Sequence, residues 1–194
     1  MNESIRTFIA VAIPEAVKRE VLAAQDRLRK QVGAEKKVRW SPPEQLHLTL
    51  RFLGNVPAGE IESLIAQVQQ SAAEAEPFEL QVSGVGCFPS FANPRVIWAG
   101  IHGDLPRLIE LQKQIETRTA EVGEPPEKRD YKPHLTLGRV KAESLAELRH
   151  IGLTTREYKI PASSSWRVEE VEIIRSDLSP SGSTYTTLSH VRLG

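Results

Sequence analysis

Two copies of the tetrapeptide HLTL lie far apart in the chain, at residues 47–50 and at residues 134–137. Each copy places a histidine and a threonine two residues apart. In an extended strand, the side chains of residues i and i+2 project from the same face. Each strand would then present one imidazole and one hydroxyl, with its leucines packed behind. The candidate active-site residues from this pattern are His47, Thr49, His134 and Thr136.

Proton transfer at a phosphate is the chemistry that fits this set. The pKa of an unperturbed histidine is ~6.5, so near neutral pH one ring can accept a proton while another donates one. Threonine hydroxyls can donate hydrogen bonds to the oxygens of a tetrahedral anion. The pattern therefore predicts a phosphodiester bound between two imidazoles that approach it from opposite sides. This chemistry alone leaves open which histidine is the acid.

Arg139 and Phe52 each follow one of these histidines by five residues. Arg139 would supply a fixed cation to a negatively charged phosphoryl transition state. Phe52 either stacks on a nucleobase at the rim of the site or belongs to the core. Strict alternation turns both side chains away from the histidines. A bulge or a strand end, expected after Gly138 in the second copy, must therefore redirect them.

The flanking sequence predicts the elements that position these strands. Apolar residues at steps of three and four predict helices over residues 14–32, 57–75, 105–122 and 144–151. Apolar or alternating runs predict strands over residues 7–13, 46–53, 78–88, 95–101 and 134–140. Gly54 is predicted to end the first HLTL strand. The tail is predicted to form further strands with a hairpin at SPSG, residues 179–182.

Four helices and seven or eight strands fall into two loosely similar halves, each with one HLTL strand. The expected fold is α+β, with two pseudo-symmetric lobes that face each other across a central cleft. Each lobe would be an antiparallel β-sheet with helices packed outside. No Gly/Ser-rich linker separates the halves, so residues 1–194 are expected to form a single bilobal phosphoesterase domain.

Composition limits the class of protein. The 194 residues carry 25 Lys and Arg against 25 Asp and Glu, which argues against a broad cationic surface for long nucleic acids. The single cysteine, Cys87, excludes an intramolecular disulfide and suits a reducing compartment. No run approaches the roughly 18 apolar residues of a membrane span, and no signal peptide is recognisable at the N-terminus. The expectation is a soluble cytoplasmic protein.

The sequence resembles the two-histidine phosphoesterases, which are defined by a pair of H-x-[ST]-hydrophobic motifs. The segments HLTLRFLG and PHLTLGR carry the resemblance, together with the opening strand RTFIAV and the closing segment from Ser176 to Leu188. More narrowly, it is similar to the bacterial and archaeal RNA 2′,3′-cyclic phosphodiesterases, also described as 2′-5′ RNA ligases. The resemblance covers nearly the whole chain.

This resemblance implies an enzyme without metal or cofactor that opens a terminal ribonucleoside 2′,3′-cyclic phosphate and leaves a 2′-phosphate. It implies that His47 protonates the departing 3′-oxygen and that His134 accepts a proton from water. The residues implied to bind the substrate are Thr49, Thr136, Arg139 and Phe52. The implied partners are RNA ends or nucleotides that carry a cyclic phosphate, and the chain is expected to act as a monomer, away from membranes.

Three alternatives stay open. In the first, His47 and His134 are metal ligands, although zinc normally requires a third protein ligand and none accompanies either motif at ligand spacing. In the second, the protein is a non-catalytic module that binds RNA ends, although such a module needs no pair of ionisable groups. In the third, the chemistry is the same but the reaction is that of a 2′-5′ RNA ligase or a 2′-5′ oligonucleotide phosphodiesterase.

Overall fold

The computed structural model describes residues 3–33, 36–126, 129–179 and 182–194. These ranges contain nine strands and four α-helices. The strands are β1 (Ser4–Ala12), β2 (Val38–Trp40), β3 (His47–Pro57), β4 (Phe78–Ser90), β5 (Asn93–Gly103), β6 (His134–Val140), β7 (Trp166–Val168), β8 (Glu170–Ser179) and β9 (Gly182–Arg192). The helices are α1 (Glu15–Val32), α2 (Ile61–Ala73), α3 (Leu105–Arg118) and α4 (Leu145–Glu157).

The strands form two antiparallel sheets. The first sheet has the order β3-β1-β8-β9, and the second has the order β2-β6-β5-β4-β7. Each HLTL segment begins a strand of a different sheet, and the two strands, β3 and β6, contact each other. The predicted α+β fold with two antiparallel sheets is confirmed, and the two histidine strands lie where the sheets adjoin.

The two halves of the sequence exchange strands. β2 belongs to the first half of the chain, yet it pairs with β6 in the second sheet. β8 and β9 come from the C-terminal end, yet they complete the first sheet beside β1. Neither half of the chain therefore builds a whole sheet. The short strands β2 and β7 also raise the number of strands above the seven or eight expected.

Helix α1 follows the predicted pattern. Its buried side chains include Val17, Val21, Ala24, Leu28 and Val32. Gly33 ends the helix at φ 62°, a left-handed conformation that glycine adopts without a steric penalty, and its N–H donates to the carbonyl of Arg29. No helix in the described part of the chain is long and apolar enough to cross a membrane.

Helix α3 ends at Arg118, four residues before the predicted end at Val122. The reason is the buried guanidinium of Arg51 on β3. Its Nη1 atom donates to the carbonyl of Glu116 and to the hydroxyl of Thr119, while its Nη2 atom donates to the carbonyls of residues 122 and 124. Because a buried cation requires such partners, the chain leaves the helix to surround it.

Gly54 does not end β3, which continues to Pro57. It pairs with Thr7 at φ 62°, next to an irregularity in the register between β1 and β3. A glycine can adopt this conformation within a strand, so the prediction that it terminates the strand was wrong. At the other predicted turn, Ser179 and Gly182 pair as the ends of β8 and β9, whereas Pro180 and Ser181 lie outside the described residues.

Candidate active site

A cleft of about 460 Å³ lies where β3 and β6 adjoin. All six residues predicted from the sequence line it: His47, Thr49, Phe52, His134, Thr136 and Arg139. The structure also brings in residues to which the sequence analysis gave no role in the site: Arg6, Phe8, Arg39, Trp40, Ser41, Gln45, Ser176, Leu178, Ser183 and Tyr185. The strands of the first sheet contribute most of the additional side chains.

A β-bulge in β3 brings Phe52 to the cleft. Consecutive residues of β1 pair with Thr49 and Arg51, so Leu50 is an extra residue without a partner. The extra residue reverses the alternation of side chains beyond it. Phe52 therefore returns to the face of Thr49, and Arg51 turns to the opposite face, where it is buried against α3.

A second bulge does the same in β6. Consecutive residues of β5 pair with Thr136 and Gly138, which makes Leu137 the extra residue. Arg139 therefore returns to the cleft face. The bulge lies one residue before Gly138, whereas the sequence analysis expected it after this glycine. Gly138 has a different role, because a Cβ atom there would lie only 2.9 Å from the side chain of Val38 on β2.

Gln25 of α1 fixes the second bulge. Its Nε2 atom donates one hydrogen bond of 2.8 Å to the carbonyl of Leu137 and another of 2.9 Å to the carbonyl of Ser41. The N–H of Ser41 donates to the same Leu137 carbonyl at 2.8 Å. A buried amide of one helix thereby joins the bulge in β6 to the segment after β2, and both line or support the cleft.

His134 is held by a hydrogen bond to the main chain. Its Nδ1 atom lies 2.7 Å from the carbonyl oxygen of Lys132. Because a carbonyl can only accept, Nδ1 carries the hydrogen, and a neutral ring then has its lone pair on Nε2. The ring also packs against Phe88, edge-on at 4.9 Å, and Trp98 at 6.4 Å. Trp98 in turn lies over Gly86, where a Cβ atom would be 2.1 Å from the indole.

His47 lies in an aromatic pocket. The centre of its ring is 4.7 Å from that of Phe8 and 5.3 Å from that of Tyr185. Its Nδ1 atom is buried and has no hydrogen-bond partner among the described residues. Burial, followed by repulsion from His134 and Lys18, lowers the pKa of His47 from 6.5 to about 4. The His47 ring is therefore neutral at pH 7 when the cleft holds no anion.

Tyr131 fixes the main chain at Thr49. Its hydroxyl donates a 2.9 Å hydrogen bond to the carbonyl of Thr49, and burial raises the pKa of the tyrosine. The raised pKa keeps the phenol protonated, as its role as a donor requires. This contact connects the segment before β6 to the motif of β3.

The cleft is cationic although the whole chain is neutral. Three arginines line it, Arg6, Arg39 and Arg139, and no Asp, Glu or Cys is among the lining residues that the structure describes. The cleft thus offers a metal ion only its two histidines. Within the described ranges, one group of three potential metal ligands occurs, Glu170, Glu172 and His190, and none of these residues lines the cleft. The arrangement suits an anion better than a metal ion.

Comparison with known sequences supports the phosphate chemistry. A sequence model of the 2′-5′ RNA ligase superfamily matches residues 10–180. A relative from Methanothermobacter thermautotrophicus, named RNA 2′,3′-cyclic phosphodiesterase, is 37% identical over 97% of this chain and 99% of its own length. These matches confirm the resemblance that the two HLTL motifs carry.

Comparison with solved structures shows the same fold. The crystal structure of TT0787 from Thermus thermophilus superposes with a TM-score of 0.78 and 31% sequence identity, covering 97% of this chain and 98% of that chain. E. coli LigT in complex with 3′-AMP superposes with a TM-score of 0.76, covering 98% of this chain and 99% of that chain. At 24% identity, the second match shows the fold alone.

Proposed function

Because the chain belongs to the 2′-5′ RNA ligase superfamily, we propose that it hydrolyses terminal 2′,3′-cyclic phosphates of RNA to 2′-phosphates. The observation that carries this proposal is the pair of imidazoles in one cationic cleft with two threonines and no described carboxylate. The name of the relative at 37% identity supports the same substrate class.

Residues 1–194 would act as one domain and as a monomer. Burial raises the pKa of the Cys87 thiol to about 11, which suits an inert thiol in the cytoplasm.

His134 is the proposed proton acceptor. With Nδ1–H bonded to the carbonyl of Lys132, Nε2 of the neutral ring can take a proton from a water molecule. The water oxygen then forms a bond to phosphorus while the bond from phosphorus to the 3′-oxygen breaks. The same hydrogen bond stabilises the imidazolium that results.

His47 is the proposed proton donor to the departing 3′-oxygen. Its pKa of about 4 in the free cleft leaves it neutral at pH 7, so it must take up a proton when the substrate binds. An anionic phosphate close to the ring raises the pKa by direct attraction. The aromatic rings of Phe8 and Tyr185, 4.7 and 5.3 Å away, favour a cationic imidazolium between them. The reaction is complete when the product, whose terminal ribose carries a free 3′-hydroxyl and a 2′-phosphate, leaves the cleft.

The other four residues bind the substrate in this proposal. Thr49 and Thr136 donate hydrogen bonds to the non-bridging oxygens, and Arg139 neutralises the charge that develops on them. Phe52 supports the base of the terminal nucleotide. A five-membered cyclic phosphate is strained, so general acid and base catalysis with preset donors suffices without a metal ion.

The same site also accounts for the ligase name of the superfamily. If the 5′-hydroxyl of another RNA replaces water as the nucleophile, His134 takes its proton and the 3′-oxygen again leaves. The product is then a 2′-5′ phosphodiester, and the reverse reaction cleaves such a linkage. We propose hydrolysis as the main reaction because water is the more abundant nucleophile.

A panel of substrates tests the proposal. We expect turnover of a dinucleotide with a 2′,3′-cyclic phosphate, little turnover of a 3′,5′-cyclic nucleotide, and a 2′-phosphate as the product by phosphorus NMR. Turnover should survive exhaustive chelation, and loss of activity on chelation would restore the metal-site alternative. Tight binding of the cyclic dinucleotide without any turnover would instead favour a non-catalytic binding module.

A further inference from the structure

Arg6 lies on the wall of the cleft that the first sheet forms. It lines the cleft together with Phe8, two residues further along β1. Its guanidinium carbon lies 4.4 Å from the centre of the Phe52 ring. Its Nε atom is buried without a hydrogen-bond partner, and no ion pair of Arg6 occurs among the described residues. Among the residues that the structure describes, this cation contacts an aromatic ring and no carboxylate pairs with it.

The cleft carries more positive charge than the cyclic phosphate requires. A cyclic phosphodiester has one negative charge, and Arg139 lies on the strand of His134 and Thr136, which are proposed to bind it. Arg39 on β2 and Arg139 on β6 are opposite each other in the strand register, so both of these arginines belong to the second sheet. Arg6 is on the first sheet, across the cleft from them. With Arg139 assigned to the cyclic phosphate, the guanidinium of Arg6 on the facing wall can bind a second anionic group on the substrate.

The position of Arg6 relative to Thr49 sets the distance to that second group. Along β1, Ala10 pairs with Thr49 and Phe8 pairs with Phe52. Arg6 lies two residues beyond Phe8, and therefore four residues from Ala10. Four residues of strand span about 13 Å. Contact with the Phe52 ring brings the Arg6 guanidinium back towards Thr49 and shortens this span. A span shorter than this would hold one nucleoside between two phosphates.

We propose that Arg6 binds the phosphate on the 5′ side of the terminal nucleotide, so that the cleft selects an RNA end over a free cyclic nucleoside. The inference rests on the function proposed above and adds to it a second phosphate site. The planar guanidinium can bond two oxygens of one phosphate at once. Stacking on Phe52 orients it before the substrate arrives and lowers the entropy that binding costs.

The test compares two substrates that differ in one group: adenosine 2′,3′-cyclic phosphate with a 5′-hydroxyl, and the same compound with a 5′-phosphate. The unaltered protein should prefer the 5′-phosphate by roughly tenfold in kcat/KM, the effect of one charged hydrogen bond. The preference should lie in KM, because Arg6 contacts no reacting atom.

Substitution of Arg6 should remove this preference. Arg6→Gln should bring the ratio of the two kcat/KM values to about one, whereas Arg6→Lys should keep part of it, because lysine keeps the charge but not the planar fork. The matched control is Arg149→Gln on the exposed face of α4, outside the cleft, which should leave the ratio unchanged. Circular dichroism verifies the fold of each variant, and Arg6→Lys decides the outcome if Arg6→Gln does not fold.

Two failures can be distinguished. If the unaltered protein turns over both substrates equally well, or if the Arg6 variants slow both by the same factor, Arg6 is not a second phosphate site and the proposed function still stands. An unchanged ratio in Arg6→Lys, with Arg6→Gln unfolded, would also refute the phosphate site. If the unaltered protein turns over neither compound nor a cyclic dinucleotide, both the inference and the proposed function are wrong.

Discussion

Leu50 and Leu137 occupy the same place in the two HLTL copies, and each is the extra residue of a β-bulge. The bulges solve the same geometric problem in two sheets, because each returns the fifth residue after a histidine to the cleft. In β3 that residue is Phe52, and in β6 it is Arg139. The shared tetrapeptide therefore supplies a pair of polar side chains and also contains the bulge that reverses which face of the sheet the following side chains occupy.

Replacement of either cleft histidine by alanine is predicted to lower turnover of a cyclic-phosphate dinucleotide by at least about 100-fold, the usual contribution of general acid or base catalysis. Substrate binding should persist, because the threonines and the arginines remain. Initial rates and equilibrium binding of His47→Ala and His134→Ala test this. His102→Ala, an exposed residue of β5 outside the cleft, is the control and should retain full activity.

The proton uptake proposed for His47 can be measured directly. In the free protein the imidazole should titrate near pH 4 by NMR, and saturation with inorganic phosphate should raise its pKa, because an anion then lies beside it. The rate should follow a bell in pH whose two constants belong to the histidine pair. A His47 pKa that does not move with phosphate would contradict its role as the acid.

Acid should destabilise the protein through the same residue. The pKa of His47 is about 4 in the folded protein and ~6.5 in the unfolded chain, so the unfolded state binds more protons between these values. This residue therefore leaves the free energy of unfolding unaffected above pH 6.5 and lowers it as the pH falls towards 4, by at most about 3 kcal/mol. Denaturant unfolding should show a shallower pH dependence for His47→Asn than for the unaltered protein, whereas His102→Asn should not differ from it.

Gln25→Leu is predicted to destabilise the protein by about 1–3 kcal/mol, since it removes two hydrogen bonds to main-chain carbonyls. It should also lower kcat/KM, because the bulge that directs Arg139 loses one of its two donors. Chemical denaturation and steady-state rates measure the two effects. Gln31→Leu, an exposed residue of the same helix, is the matched control. Unchanged activity in a destabilised Gln25→Leu would show that the bulge does not depend on this amide.

Gly86→Ala is predicted to impair catalysis by displacing Trp98, which packs against His134. The new Cβ atom would lie 2.1 Å from the ring of Trp98, so the indole must shift, and Phe88 and His134 pack beside it. We expect a loss of about tenfold or more in kcat, in proportion to the displacement of the imidazole. Gly59→Ala, where a Cβ atom meets nothing within 4 Å, should be neutral. Crystal structures of both variants would show whether the indole moves.

Local sequence predicted much of this fold, because the signals of helices and of single strands lie within a few residues. The five apolar positions of α1 and the face shared by His47 and Thr49 are of this kind. The sequence showed that a bulge or a strand end was required to redirect Phe52 and Arg139, but it did not show where the bulges lie. Their sites depend on which residues of β1 and β5 pair with each HLTL strand, and this pairing is set by tertiary contacts.

The first wall of the cleft could not be predicted from the motifs. Arg6, Phe8 and Tyr185 come from strands that are distant in sequence, and the order β3-β1-β8-β9 alone brings them beside His47. The signal that existed was the resemblance of the opening segment RTFIAV and of the closing segment from Ser176 to Leu188, which contain these three residues. The end of α3 was missed for a similar reason, because it depends on Arg51, which lies far away in the sequence.

The exchange of strands between the two halves affects how the cleft can move. Since β2 crosses into the second sheet and β8 and β9 return to the first, the polypeptide passes between the lobes more than once. Several covalent connections between two bodies restrict the opening of a hinge far more than one connection would. The spacing between the two imidazole rings of the cleft is therefore set when the chain folds. A chain divided at its midpoint would leave neither fragment with a complete sheet.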